Sequence, residues 1–132
     1  MTDDFAGFRP TLLEFLAELE RNNRRDWFAA NKRRYEQEVV MPSLAFISAM
    51  AAELERFAPC FRALPLRSGG SLMRIYRDTR FTRDKRPYKT NLGIQLRHEQ
   101  GGDVHAPAYY FHVDSREVFV GVGAWRPPAQ AL

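Results

Sequence analysis

Residues Tyr88–Arg97, YKTNLGIQLR, alternate with a period of two. Tyr88, Thr90, Leu92, Ile94 and Leu96 fall on one face, and Lys89, Asn91, Gln95 and Arg97 on the other, with Gly93 between them. This alternation predicts a strand with one face toward a core and one polar face. Working outward, Ser71–Arg77 reads as a second strand, preceded by a loop from Cys60 to Gly70. Residues His98–Asp103 read as a turn. Tyr109–Val113 and Val118–Trp125 then form a hairpin across Asp114-Ser115-Arg116-Glu117.

Upstream, the period changes to that of helices. Thr11-Leu12-Leu13-Glu14 has the form of a capping box, and Leu12, Phe15, Leu16 and Leu19 follow at helical spacing. Asn22-Asn23 ends that helix and offers an N-cap to a second, in which Trp27, Phe28, Tyr35 and Val39 face the core. Pro42 restarts a third helix carrying Ile47, Met50, Ala51 and Leu54, and Pro59 stops it. Helices followed by a meander of strands define an α+β fold, with N-terminal helices packed on a mainly antiparallel β-sheet. No repeat or linker divides the chain, so residues 1–132 read as a single domain. Pro127-Pro128-Ala129-Gln130-Ala131-Leu132 resembles the first turn of a further helix, which suggests a C-terminal truncation.

The composition, 45% hydrophobic and 27% charged, is that of an ordinary globular protein. There is no apolar run of membrane-spanning length and no leader-like N-terminus, and the expected location is the cytoplasm. A lone cysteine, Cys60, excludes an intramolecular disulfide. The net charge of +4 is distributed unevenly. Residues 1–73 balance ten basic side chains with ten acidic ones, whereas residues 74–97 hold eight basic residues against Asp78 and Asp84. A basic excess confined to one segment marks an anion site or a salt-bridged structural hub.

Five stretches, taken in order, carry a resemblance: FAGFRPTLLEFLAEL, NNRRDWFAANKRRYEQEV, SLMRIYRDTRFTRDKRPYKTNLGI, APAYYFHVD and VGVGAWRP. Together the chain resembles domain-of-unknown-function family 2461, conserved hypothetical proteins. The resemblance implies the fold and the place of the site, and it implies no activity. Ala108 stands where the family usually has Gly. Family members also continue past the tryptophan-proline segment, so the resemblance implies a C-terminally truncated version of a longer domain that would need a partner or expose an apolar face.

The chemistry-bearing residues concentrate in the basic block. Arg74, Arg77, Arg80, Lys85 and Lys89 are candidate anion ligands, because guanidinium forks match phosphate and carboxylate oxygens. Asn91 and Arg97 extend this set along the polar face of the strand, beside Tyr110 and His112 of a neighbouring strand. Tyr76, Phe81 and Tyr88 are interleaved with the block and could stack bases where exposed. Lys89 and His112 are the candidate proton-transfer groups for an enzyme. The alternative is structural: Asp78 and Asp84 neutralise part of the run and lace its loop to the helices. His98, His105 and His112 do not have a metal-ligand spacing, and no metal site is expected. Gly121-Val122-Gly123 lacks the third glycine of a dinucleotide fingerprint, and no cofactor is indicated.

Three functions follow as expectations. The first is binding of an anionic, phosphate-bearing ligand, with nucleic acid as a weaker candidate because no recognition motif accompanies the charge. The second is an enzyme acting on a phosphorylated or acidic substrate. The third is a structural or interaction domain, recognisable by an exposed apolar sheet face and self-association. No membrane partner is expected.

Overall fold

In the computed structural model, residues 5–99 and 106–124 are described. Helix α1 spans Pro10–Arg21, and the fixed φ and missing N–H of Pro10 suit its first turn. The expected capping box does not form. Arg9 occupies the cap position with extended backbone and no side-chain cap, and the Thr11 hydroxyl donates to the Glu38 carboxylate instead. Leu12, Phe15, Leu16 and Leu19 are buried as their spacing predicts. Helices α2 (Arg25–Ala30) and α3 (Lys32–Tyr35) follow, and Arg24, not Asn23, precedes α2.

Pro42 lies in the first turn of a further helix, as expected, but this helix continues from the preceding one without a break. The chain runs from α3 through one π-helical turn, Glu36–Val40, directly into α4, Met41–Phe57. A proline in a continuous α-helix lacks one donor and clashes with the carbonyl four residues back. The π turn widens the backbone where this conflict arises, and the Met41 N–H bonds to the Glu36 carbonyl.

The sheet is antiparallel with the order β1-β2-β3-β4. Its strands are Phe61–Arg62, Leu92–His98, Pro107–Val113 and Val118–Ala124. Strand β1 lies within the expected Cys60–Gly70 loop and pairs Phe61 with His98. The hairpin forms as expected: Asp114 Oδ1 accepts from the N–H groups of Arg116 (2.7 Å) and Glu117 (2.8 Å). Trp125, the residues from Pro127 onward and the turn residues 100–103 lie outside the described residues.

Two strand boundaries differ from expectation. Strand β2 begins at Leu92, and Ser71–Arg77 forms only the isolated bridges Leu72–Ile94 and Tyr76–Tyr88. Tyr88 bridges Tyr76 through the neighbouring Pro87 carbonyl and Lys89 N–H, and its own backbone groups meet a side chain in place of a strand: Asn23 accepts from the Tyr88 N–H (3.0 Å) and donates to the Tyr88 carbonyl (2.8 Å).

Helices cover the face bearing Leu92, Ile94 and Leu96, all buried, and Phe28 stacks on Tyr88 at 4.3 Å. Phe46 of α4 meets Phe111 of β3 edge-on at 5.1 Å. The cover stops there. Val118, Val120 and Val122, cross-strand neighbours of Val113, Phe111 and Tyr109 on the same face, are 69%, 58% and 67% exposed. The opposite face of β2 and β3 carries Gly93, Gln95 and Arg97 beside Tyr110 and His112.

Candidate functional site

The polar face of β2 forms the floor of a cleft with two lobes. One lobe, about 350 Å³, is lined by Met73, Arg77, Asp78, Lys89, Asn91, Gly93 and Tyr110. The other, about 320 Å³, is lined by residues 69–74 together with Lys89, Gln95 and Arg97. Met73 and Lys89 belong to both, so they stand between the lobes. Gly93 lets Met73 and Tyr110 approach the strand closely. A Cβ there would lie 3.0 Å from Met73 Sδ and 3.2 Å from the Tyr110 hydroxyl. The Asn91 amide donates to that hydroxyl at 3.4 Å, closing one wall.

The basic residues divide into those with partners and those without. Arg80 grips Asp78 with two bonds, Nε to Oδ1 at 3.0 Å and a terminal nitrogen to Oδ2 at 2.9 Å. Arg86 holds Asp84 in the same way. Arg77 donates to the carbonyls of Asp84 (3.1 Å) and Arg86 (2.8 Å) and pairs with the Asp84 carboxylate at 3.3 Å. Lys85 donates to the Thr79 carbonyl. These bonds tie the loop from Asp78 to Pro87 to itself; among the described residues neither aspartate reaches the helices to which the structural alternative would lace it. They also depress its carboxylates. Arg80 holds Asp78 at about 2, and Arg86, with help from its own N–H and from Arg77, holds Asp84 well below the usual range.

Arg74, Lys89 and Arg97 are different. Among the described residues none of the three makes an ion pair, and Arg97 donates only to the Gln95 amide, at 3.3 Å. All three line the second lobe. Burial, and then the neighbouring Arg74 charge, lower the pKa of Lys89. A second cation destabilising the protonated lysine is the electrostatic signature of a place where an anion would be welcome.

Of the sequence-predicted residues, the cleft therefore unites Arg74, Arg77, Lys89, Asn91, Arg97 and Tyr110. Arg80 and Lys85 do not line it. His112 does not join Lys89 there. Its ring stacks on Phe119 at 4.5 Å, and its Nε2 lies 2.8 Å from Asp114 Oδ2. The Asp114 carboxyl is held at about 2, chiefly by that contact and by the N–H of Arg116. Ligand atoms of His112, Asp114 and Glu117 lie within 4.8 Å of one another, a grouping created by the hairpin turn and invisible to histidine spacing alone. The hydrogen bonds of that turn already engage the ring and both Asp114 oxygens.

Gln95 lines the cleft with the rest of the polar stripe, whereas sequence reasoning did not assign Met73 or the Gly69-Gly70-Ser71 corner to it. The available signal was the Gly-Gly pair just before the first chain reversal: Gly69 has φ +72°, and a Cβ on Gly70 would lie 2.6 Å from the Leu64 carbonyl. The interleaved aromatics separate as well. Tyr88 is buried, whereas Tyr76 and Phe81 are exposed, Phe81 with the Arg80 guanidinium 5.4 Å from its ring.

Helices on one face of an antiparallel sheet and a polar cleft on the other define an α+β protein. The chain belongs to the family described as Conserved hypothetical protein (DUF2461), whose model matches residues 11–132. No curated protein and no solved structure matches it. Among the described residues, no helix is long and apolar enough to cross a membrane.

Proposed function

We propose that this protein binds a phosphate-bearing anion in the lobe lined by Arg74, Lys89 and Arg97. One observation carries the reading. Arg77, Arg80 and Arg86 are paired with carboxylates, Lys85 bonds the Thr79 carbonyl and Arg83 lines neither lobe, while these three share a cavity without a carboxylate. Three cations brought together without carboxylates repel one another, and a bound phosphate relieves that repulsion while accepting forked hydrogen bonds. The test is a thermal-shift series with phosphate, sulfate, nucleotides and short RNA and DNA at low and moderate salt. A ligand at a hundred times its dissociation constant adds about 2.7 kcal/mol of stability. A saturable shift with phosphate that survives moderate salt supports the site. Equal shifts with every polyanion that vanish in salt reduce it to a basic surface.

The enzyme reading uses the same cleft, with Lys89 as the proton-transfer group. Its lowered pKa supports that role, and His112 lines neither lobe. The interaction reading rests on a separate observation, the exposed Val118, Val120 and Val122 on edge strand β4, which carries no charged residue or proline between Val118 and Ala124. Such an edge favours strand pairing with a second copy of the chain.

A further inference from the structure

The two lobes of the cleft are unequal in charge, and the inequality restricts the ligand. The second lobe collects Arg74, Lys89 and Arg97 with no carboxylate among its lining residues. The first holds the Asp78 carboxylate, the Asn91 amide and the Tyr110 hydroxyl, and its one arginine, Arg77, is occupied by the Asp84 and Arg86 carbonyls and the Asp84 carboxylate. Lys89 and Met73 line both lobes, so the two cavities are immediate neighbours. An anionic group at each end is disfavoured, because Arg77 is engaged by Asp84 and Asp78 by Arg80, which leaves the first lobe no unpaired cation except the shared Lys89.

The first lobe instead offers an amide that both donates and accepts, a hydroxyl, and Asp78 Oδ2, which takes one bond from Arg80 and has a second lone pair to offer. That set matches hydroxyl groups. It offers no aromatic sandwich for a base, since the Tyr110 ring lies against Gly93. We propose that the ligand is a phosphomonoester of a sugar or polyol, its phosphate held by Arg74, Lys89 and Arg97 and its hydroxyl-bearing body held by Asp78, Asn91 and Tyr110. Lobes of about 350 and 320 Å³ together fall in the range of small-molecule sites. This inference rests on the anion-site reading above and adds the chemistry of the other end.

Titration calorimetry separates the two. The probes are inorganic phosphate, glycerol 3-phosphate, ribose 5-phosphate, glucose 6-phosphate, fructose 1,6-bisphosphate and adenosine monophosphate. The expected result is at least one monophosphate ester of the polyol set binding about tenfold or more tighter than inorganic phosphate, equivalent to 1.4 kcal/mol. The double variant Asn91→Ala, Tyr110→Phe should then reduce that ester to the affinity of inorganic phosphate while leaving inorganic phosphate itself unchanged. Equal affinities for phosphate and all three esters would overturn the polyol assignment and leave the anion site standing. Tighter binding of the bisphosphate or of adenosine monophosphate would also overturn it. Binding of none of the probes would remove the anion-site reading itself.

Discussion

The side-chain amide of Asn23 satisfies both backbone groups of Tyr88, 65 positions away in sequence, through bonds of 3.0 and 2.8 Å. It fastens the turn between α1 and α2 to the segment that carries Lys89 and Asn91 into the cleft. Asn23→Ala leaves a donor and an acceptor beside a buried ring unmatched, and should cost about 2 kcal/mol. Urea denaturation should show this as a lower midpoint with an unchanged slope. Asn23→Asp, which retains the acceptor and loses the donor, should fall between the two.

Gly93 separates stability from binding. Its added Cβ would press on Met73 Sδ and the Tyr110 hydroxyl, both at the ends of flexible side chains, so Gly93→Ala should change stability by less than about 1 kcal/mol. The same methyl narrows the cleft. Affinity for a bound phosphate ester should drop about tenfold, or 1.4 kcal/mol, by calorimetry.

Alternation in Leu92–Arg97 and the four-residue turn after Val113 were legible because they depend on neighbours along the chain. The placement of Lys89, Asn91 and Arg97 on the polar face followed from the same parity. What was not legible depends on contacts between distant residues. Tyr88 fits a strand pattern, yet its backbone partners are supplied by Asn23. Arg80 and Lys85 look identical in sequence to Arg74 and Lys89, and only the folded loop shows that Asp78 and the Thr79 carbonyl engage the first pair. Pro42 carries a helix-start signal, yet a π turn joins its helix to the preceding one.

Lys89 gives the site a pH dependence. Its pKa is lowered from 10.5 by burial and by Arg74, so the unfolded chain holds this proton more tightly than the unliganded fold. The charged lysine therefore costs stability below its folded pKa, and the cost disappears as pH rises past 10.5. A bound anion favours the charged form, so anion affinity should fall as pH rises through the lowered pKa. Phosphomonoesters have a second pKa of about 6 and do not titrate at alkaline pH. Calorimetry from pH 8 upward should show weakening in wild type and a much flatter profile in Lys89→Met. The same variant should be at least as stable as wild type at pH 7 without ligand.

Edge strand β4 bears on the interaction reading. If two copies pair there, sedimentation should show a concentration-dependent dimer, and Val120→Lys should abolish it without lowering the melting temperature by more than a few degrees, because Val120 is 58% exposed. A wild-type chain that stays monomeric at every concentration would contradict self-association through this strand.

The central claim is that unpaired cations, not the total charge of the block, hold the ligand. It is tested most directly by phosphate titration calorimetry on three proteins at one salt concentration: wild type, Lys89→Ala and Arg80→Ala. Each substitution removes one positive charge, one from the cleft and one from the pair with Asp78. The account predicts loss of binding in Lys89→Ala and an affinity within about twofold of wild type in Arg80→Ala. Equal weakening in both, or none in Lys89→Ala, would contradict it.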